Sequence, residues 1–324
     1  MKAVYSSLAV LASLVLVITA IGTANAETIG IMTSPPGAFT HSSGVAIAKV
    51  ILEKAGMKAT VQPQAQAPQG PVNNGVADFG MANSFDLTFA AAGTGEYEGQ
   101  GPKPNLRVVG TLQVYQVAMH VRKDSDIKSL KDLKGKRVGS GFHAQKTIGR
   151  IIEAHLANAG LTYDDVKPVP APNVTRAAED FGSGKSDVMF YALGSAVVME
   201  INTKVGGLRV LPVDSSVEAV ARMQKIMPGS YVSEAKPAPH VPGVAEPTMV
   251  VSFDNVFYTN AKLSDDVVYK VVKAIYENKP DLVAAFAAFT SFNPQRMATP
   301  VQGLDFHPGA LKFYKEVGMM SPKR

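Results

Sequence analysis

A strand–loop–helix pattern that occurs twice constrains the fold of this chain more than any other feature. The first copy opens with a short apolar segment at 28–32, and its helix pattern ends at Gly56. The second copy opens at 136–139, and its helix pattern ends at Gly160. In both helices the apolar residues recur at a spacing that places them on one face. Alternating strands and helices predict parallel sheets with covering helices, and two copies predict two α/β lobes.

Four loops are predicted to follow the carboxyl ends of the strands in these lobes: 33–43, 83–87, 140–147 and 191–195. In open α/β sheets, ligands bind beyond the carboxyl ends of the strands, where loops and helix N-termini converge. If the two lobes face each other, the four loops meet in one cleft. The sequence therefore predicts a ligand site between the lobes.

Two long segments rich in β-forming residues, 106–122 and 248–259, are predicted to cross between the lobes. A chain that crosses twice forms a hinge about which the lobes can close. We assign 27–110 to the first lobe and 111–259 to the second. The helix patterns of 260–324 are expected to pack across the lobes.

The N-terminal 26 residues are typical of a secretory signal peptide. Lys2 is followed by the apolar run Leu8 to Ala20, and Ala24-Asn25-Ala26 supplies small residues at a cleavage site. We therefore predict export to the periplasm with cleavage after Ala26. An uncleaved N-terminal anchor is the alternative. No later segment has the length and apolarity of a membrane helix, so the mature protein is expected to be soluble.

Several classes of chemistry are disfavoured by composition and motifs. The chain has no Cys, which excludes disulfides, thiolate catalysis and Cys-ligated zinc. The net charge is +5, but the basic residues are scattered, so nucleic-acid binding is not expected. There is no G-x-S-x-G nucleophile motif, and the six histidines form no H-E-x-x-H motif. We predict neither an enzyme nor a cofactor nor a metal site.

The loop 140–147 carries the best candidate for anion recognition. His143 and Lys146 lie at the predicted N-terminus of a helix, where the positive end of the helix dipole disfavours added positive charge. An anion bound to the free backbone N–H groups there would remove that penalty, and Thr147 adds a hydroxyl. The alternative is that both basic side chains are simply solvated.

The remaining candidates are hydroxyl, amide and aromatic side chains in the predicted cleft or in the first crossing segment. Thr40 or Ser42 is also expected to cap the first helix. Four aromatic residues in the convergent loops suggest a ligand with an apolar body and a polar or charged end. The predicted ligand-binding residues are Ser34, Phe39, Thr40, Asn83, Ser84, Phe85, Tyr115, Phe142, His143, Lys146, Thr147 and Tyr191.

The chain resembles the TAXI-type solute receptors of tripartite ATP-independent periplasmic (TRAP) transporters. The matching segments, which span nearly the whole mature chain, are 33–44, 75–80, 121–127, 130–138, 187–194, 263–269 and 307–310. The resemblance implies a two-lobed, type II periplasmic binding protein that delivers its ligand to the membrane subunits of an ion-driven permease. It also implies small carboxylates, such as glutamate or 2-oxoglutarate, as ligands.

Two ligand-facing motifs depart from the pattern of that family. A usual Gly-Ser-Gly-Thr is Ala144-Gln145-Lys146-Thr147 here, and a usual Gln-Ser-Asp is Asn83-Ser84-Phe85. Both changes add bulk, and the second removes a carboxylate that could hold an amine. We therefore predict a small organic anion, a carboxylate with an apolar or aromatic body, bound by a monomer. The alternatives are a glutamate-like amino-acid receptor, a ligand-presenting sensor component, and an enzyme of the same shape using His143 with Asp86.

Overall fold

The computed structural model describes residues 28–320. Its strands are β1 (Thr28–Thr33), β2 (Lys58–Pro63), β3 (Phe79–Asn83), β4 (Leu106–Arg122), β5 (Arg137–Gly141), β6 (Lys167–Ala171), β7 (Met189–Ala192), β8 (Leu208–Val210), β9 (Tyr231–Ala235) and β10 (Thr248–Asn260). Its α-helices are α1 (Phe39–Ala55), α2 (Gln69–Asn73), α3 (Ser84–Ala92), α4 (Lys146–Asn158), α5 (Val174–Gly182), α6 (Ala196–Lys204), α7 (Val217–Ile226), α8 (Asp265–Glu277), α9 (Lys279–Ala285) and α10 (Pro308–Glu316). Short 3₁₀ turns lie between several of them.

The main sheet is held together by the two long strands β4 and β10, which pair antiparallel along most of their length. On one side, β1 pairs in parallel with β2 and β3, and β3 pairs with the carboxyl half of β10. On the other side, β7 and β8 pair with the end of β4, and β9 pairs with the start of β10. The two predicted crossing segments are therefore neighbouring strands that belong to both ends of the sheet.

Each end of the sheet has its own set of helices. The first lobe, as we use the term below, consists of β1–β3 with α1–α3, and α8–α10 pack mainly against it in one apolar cluster. The second lobe contains α4–α7, β7–β9 and the separate parallel pair of β5 and β6. Phe286 and Ala288, in the turn after α9, pack against the apolar cluster of the second lobe. The lobe boundaries given above remain predictions.

The sequence correctly predicts the C-terminal end of helix α1 but not the residue that caps its N-terminus. The helix ends at Gly56, whose φ of 66° is left-handed, as predicted for its C-cap. It begins at Phe39, and its N-cap residue Ala38 offers no side-chain acceptor. The predicted cap at Thr40 or Ser42 is wrong, because the Thr40 hydroxyl instead accepts a hydrogen bond from the Ser34 backbone N–H at 3.2 Å. The N-terminus of α1 is thus left without a side-chain cap.

Two further predictions concern membranes and export. None of the helices within 28–320 has the length and apolarity needed to cross a bilayer. The predicted signal peptide, residues 1–26, lies outside the described residues.

Candidate ligand site

A cavity lies between the lobes, above the central strands β4 and β10. It encloses about 100 Å³. Since one water needs roughly 10–15 Å³ by the same measure, the space suits a small molecule. The walls are formed by Ser34, Ala38, Phe39, Thr40, Ala67, Pro68, Gln69, Met81, Ala82, Asn83, Asp86, Tyr115, Val117, Gln145, Thr147, Ile148, Ile151, Val174, Phe190, Tyr191, Ala192 and Asn255. Both lobes and both crossing strands contribute.

The floor of the cavity is aromatic. Phe39 of α1 packs edge-on against Tyr115 of β4, with 4.6 Å between ring centroids, and against Phe286 at 5.3 Å. Phe39 is buried in an apolar cluster formed mainly by residues of the second lobe. An aromatic side chain from the first lobe thus completes the apolar floor of the cavity.

Three helices begin at the cavity wall without a side-chain cap. They are α1, α3 and α4, whose N-cap residues are Ala38, Asn83 and Gln145. The first N–H groups of a helix have no intrahelical partner, and the helix dipole adds positive potential. All three N-caps line the cavity. The backbone at the cavity wall therefore favours a ligand group that is negatively charged or accepts hydrogen bonds strongly. It does so without the help of a basic side chain.

Basic side chains are absent from the lining, which lies entirely within the described residues and contains no Lys, Arg or His. The only carboxylate in it is Asp86, in the first turn of α3. Asp86 accepts hydrogen bonds from Gln69 Nε2 at 2.6 Å, Thr147 Oγ1 at 2.9 Å and the Tyr97 hydroxyl at 3.1 Å. Burial raises the pKa of Asp86 to about 6, and these donors oppose the rise because they stabilise the charged form.

Three buried polar atoms of the lining have no hydrogen-bond partner anywhere in 28–320. They are Gln69 Oε1, Asn83 Oδ1 and Asn255 Nδ2. The hydrogen bond from Gln69 Nε2 to Asp86 fixes its other amide atom as an acceptor. A buried polar group without a partner costs free energy, so a ligand or ordered water that pairs with these atoms would be stabilised.

Asn255 lies where the pairing of β10 with β4 is irregular. The register shifts between Asp254 and Val256, and the extra residue of this bulge is in β4. On its other side β10 pairs with β3 without a shift, and Asn255 lies opposite Asn83. Both side chains line the cavity.

The lobes are in direct contact around the cavity. Thr147 of α4 bonds to Asp86 of α3, and Arg150 of α4 forms an ion pair with Glu96. The backbone N–H of Val197 in α6 donates to Gly37 O at 3.1 Å. The molecule is therefore in a closed arrangement.

Seven of the twelve predicted binding residues line the cavity: Ser34, Phe39, Thr40, Asn83, Tyr115, Thr147 and Tyr191. They come from both lobes and from β4, so the predicted convergence of loops agrees with the geometry. Their contact with a ligand remains a prediction.

Ser84 and Phe85 lie on the other side of α3. They line a second depression, together with Thr88 and Phe89, rather than the cavity. Phe85 is buried and packs edge-on against Phe253 at 5.3 Å. Phe85 does not line the cavity, because α3 begins immediately after Asn83 and its rotation brings Asp86 to the cavity instead.

Phe142, His143 and Lys146 also lie outside the lining. Phe142 is buried in the second lobe, with a left-handed φ of 41°, and its ring packs over Gly139. His143 and Lys146 are exposed. The predicted basic contacts are therefore not part of this cavity; Gln145 and Thr147 present the N-terminus of α4 to it.

Sequence reasoning missed Gln69, Gln145 and Asn255. Gln145 lies in the loop 140–147, and its Oε1 accepts a hydrogen bond from the N–H of Val174 at 3.1 Å, so it caps α5 at the cavity wall. Gln69 belongs to the five-residue helix α2, which has no clear periodicity. Asn255 sits in a largely apolar strand, and no pattern in the sequence marks it as a site residue.

The family of the chain follows from a match over nearly all of the described fold. The model of the NMT1-like family matches residues 31–318. The chain belongs to the NMT1-like family. The narrower resemblance to TAXI-type receptors stays a prediction for this NMT1-like protein.

Several solved structures share the fold. The periplasmic sulfonate-binding protein of a putative sulfonate ABC transporter from Methylobacillus flagellatus KT has a TM-score of 0.51 at 16% identity, covering 92% of this chain and 97% of that one. A structure described as a periplasmic transporter has a TM-score of 0.56 at 14% identity, covering 91% and 94%. A protein of Prochlorococcus marinus (MIT 9301) in complex with methylphosphonate has a TM-score of 0.55 at 13% identity, covering 91% and 100%.

At these identities the likeness establishes the fold. The predicted α/β, two-lobed periplasmic binding protein class is confirmed. That the chain is a binding protein and not an enzyme remains a prediction. The ligand and the membrane partner are matters for the proposal below.

Proposed function

We propose that this NMT1-like protein is a periplasmic solute-binding protein that closes around a small organic anion and presents it to a membrane permease. The observation that carries the proposal is the cavity between the lobes, at which α1, α3 and α4 all begin without side-chain caps. Exposed N–H groups at helix N-termini bind carboxylates, sulfonates and phosphonates by the same physics.

The chemistry of the lining supports an anionic end joined to an apolar body. Because no cationic side chain lines the cavity, the backbone N–H groups and the hydroxyls of Ser34 and Thr40 would hold the charge. The aromatic floor of Phe39 and Tyr115 suits an apolar or aromatic remainder. A sulfonate and a methylphosphonate, which two of the similar structures are described as binding, are likewise small anions with an apolar part.

Asp86 favours a second candidate, an amino-acid ligand. An ammonium group needs acceptors, and Asp86, Gln69 Oε1 and Asn83 Oδ1 are acceptors on the same lobe. The departure at Phe85 removed the acidic residue usual in TAXI receptors, but Asp86 places a carboxylate at the wall. The Asp86 carboxylate would attract the ammonium group of an amino acid but would repel a simple organic anion.

Binding measurements on residues 27–324 separate the candidates. A thermal-shift screen would cover carboxylates, sulfonates, phosphonates and amino acids, because a ligand bound only by the folded state raises the melting temperature. Calorimetry would then compare the parent with Asp86→Asn. An amino acid should lose at least about tenfold in affinity, since a charge-assisted hydrogen bond contributes about 1.5–3 kcal/mol. A simple organic anion should bind Asp86→Asn equally well or more tightly.

Lys146→Ala serves as the matched control. Lys146 is exposed and outside the cavity lining, so its removal should leave the affinity unchanged.

Small-angle scattering should also show a smaller radius of gyration with saturating ligand, because the lobes close about β4 and β10. If no compound of these four classes shifts the melting temperature, the proposed ligand chemistry is wrong.

We propose the membrane subunits of an ion-driven TRAP-type permease as the partner, on the strength of the TAXI resemblance. An ATP-driven permease is the alternative, since the similar sulfonate-binding protein is described as part of an ABC transporter. Presentation of the ligand to a membrane sensor is a third possibility from the same geometry. Uptake of the identified ligand that is abolished by deletion and by collapse of the ion gradient would support the TRAP partner; uptake that persists without the gradient would contradict it.

A further inference from the structure

Helix α4 reaches across the cleft with two side chains. Thr147 and Arg150 are three residues apart, so they lie on the same face of the helix. Thr147 Oγ1 donates to Asp86 at 2.9 Å, at the cavity wall. Arg150 pairs its guanidinium Nε with the carboxylate of Glu96, farther along the same interface. One helix of the second lobe is thus fastened to the first lobe at two points.

Arg150 is held by more than its ion pair. Its guanidinium lies 5.0 Å from the centroid of the Phe89 ring of α3, and its Nη1 donates to Ile226 O at 3.1 Å. The side chains of Arg150 and Glu96 are 28% and 12% exposed, so solvent screens the pair less than a surface pair. The contact to Ile226 is within the second lobe, whereas Phe89 and Glu96 belong to the first.

Neither Arg150 nor Glu96 lines the cavity, whereas Thr147 and Asp86 do. The ion pair therefore lies beside the ligand space, one helical turn farther from it. Breaking the ion pair would leave the carboxylate of Glu96 without its cationic partner. The Oε2 atom of this carboxylate is already buried and has no hydrogen-bond partner in the described chain. Removing one member of a partly buried pair strands the other charge, which disfavours the arrangement that buries it.

We infer that Arg150 is a positioning residue for lobe closure: its ion pair with Glu96 holds α4 against the first lobe and so keeps Thr147 at the wall of the cavity. Arg150 does this without touching the ligand. The pair biases the equilibrium toward the closed arrangement even in the ligand-free protein. The inference rests on the proposed function only in that closure serves ligand capture.

The chain offers a clean way to measure this. It contains no Cys, so two introduced cysteines can carry spin labels without side reactions. Val76 of the first lobe is 75% exposed and Val217 of the second lobe is 81% exposed. Pulsed electron paramagnetic resonance on residues 27–324 carrying Val76→Cys and Val217→Cys gives the distribution of distances between the lobes, with no ligand added.

The variant under test is Arg150→Gln, and the control is Arg222→Gln. Arg222 donates to Ala157 O at 2.9 Å and to Asn158 O at 2.7 Å, both within the second lobe. Arg150→Gln should move the distribution toward longer distances and reduce its short-distance fraction at least about fivefold, in the range of typical coupling between states. Arg222→Gln should lower the melting temperature and leave the distances unchanged.

Charge reversal supplies the rescue. The double variant Glu96→Arg with Arg150→Glu should restore part of the short-distance fraction that each single reversal loses. An unchanged distribution in Arg150→Gln, or an equal shift in Arg222→Gln, would overturn the inference. The measurement needs no ligand, so a failure to find a solute would affect the proposed function and not this result.

Discussion

The hydroxyl of Tyr97 donates a hydrogen bond of 3.1 Å to Asp86 Oδ1, and both side chains are buried in the first lobe. Tyr97 thus contributes to holding a carboxylate at the cavity wall without lining the cavity itself. Burial raises the pKa of the Tyr97 hydroxyl, and the charge of Asp86 raises it further, because ionising Tyr97 would place a second negative charge beside it. The protonation of Asp86 depends on such neighbours.

Tyr97→Phe should raise the pKa of Asp86 above its value of about 6, because the lost donor stabilised the charged carboxylate. Glu96→Gln should change it in the opposite direction, since the negative charge of Glu96 raises the pKa of Asp86. Carbon-detected NMR titration of the side-chain carboxyl, assigned with Asp86→Asn, measures both. A fall in the pKa of Asp86 in Tyr97→Phe would contradict the assigned hydrogen bond.

Two buried histidines should make the second lobe sensitive to acid. Burial lowers the pKa of His120 and of His155 to about 4, below the ordinary histidine value of 6.5. The unfolded chain therefore binds more protons than the folded one between these values, and stability falls as the pH drops from about 6.5 to about 4. Above pH 6.5 this contribution is fully present. The free energy of unfolding should fall by about 3 kcal/mol per histidine over that range.

Urea unfolding at pH 7.5 and pH 4.5 tests the histidines. His155→Leu should reduce the difference between the two pH values, because one of the two depressed groups is gone. His143→Leu is the control, since His143 is exposed and should leave the difference as in the parent. A pH dependence that is the same in all three proteins would show that His155 does not cause it.

Gly309 should tolerate no side chain. A Cβ there would lie 2.2 Å from the backbone oxygen of Asp265, where α10 meets α8. Backbone atoms cannot move aside as a side chain can, so Gly309→Ala should destabilise the protein by about 1–3 kcal/mol. Gly70→Ala is the control: nothing lies within 4 Å of its Cβ position, and Ala favours the helix. Equal melting temperatures for the two variants would refute the close packing of α8 and α10.

The N-terminus of the exported protein should be Glu27. The motivation is the apolar run followed by Ala24-Asn25-Ala26. Mass spectrometry of the periplasmic fraction checks the prediction. A membrane-bound protein that retains Met1 would support the uncleaved anchor instead.

The sequence determined the elements and their class, because local patterns control them. Apolar spacing and a terminal glycine identified α1 and α4, and the β-rich segments 106–122 and 248–259 became β4 and β10 with almost the same bounds. Alternating strands and helices then sufficed for two α/β lobes. The convergence of four loops on one cleft also followed, since the carboxyl ends of parallel strands lie on one edge of a sheet.

Tertiary structure alone decided which side chains face the cavity. A helix turns about 100° per residue, so the start of α3 one residue after Asn83 places Asp86 at the wall and Phe85 in the core. Asn255 reaches the cavity from the strand position opposite Asn83, and the left-handed backbone of Phe142 carries its ring inward. The Arg150–Glu96 pair joins residues 54 positions apart. Such directions and long-range contacts depend on how the elements pack, which no local pattern records.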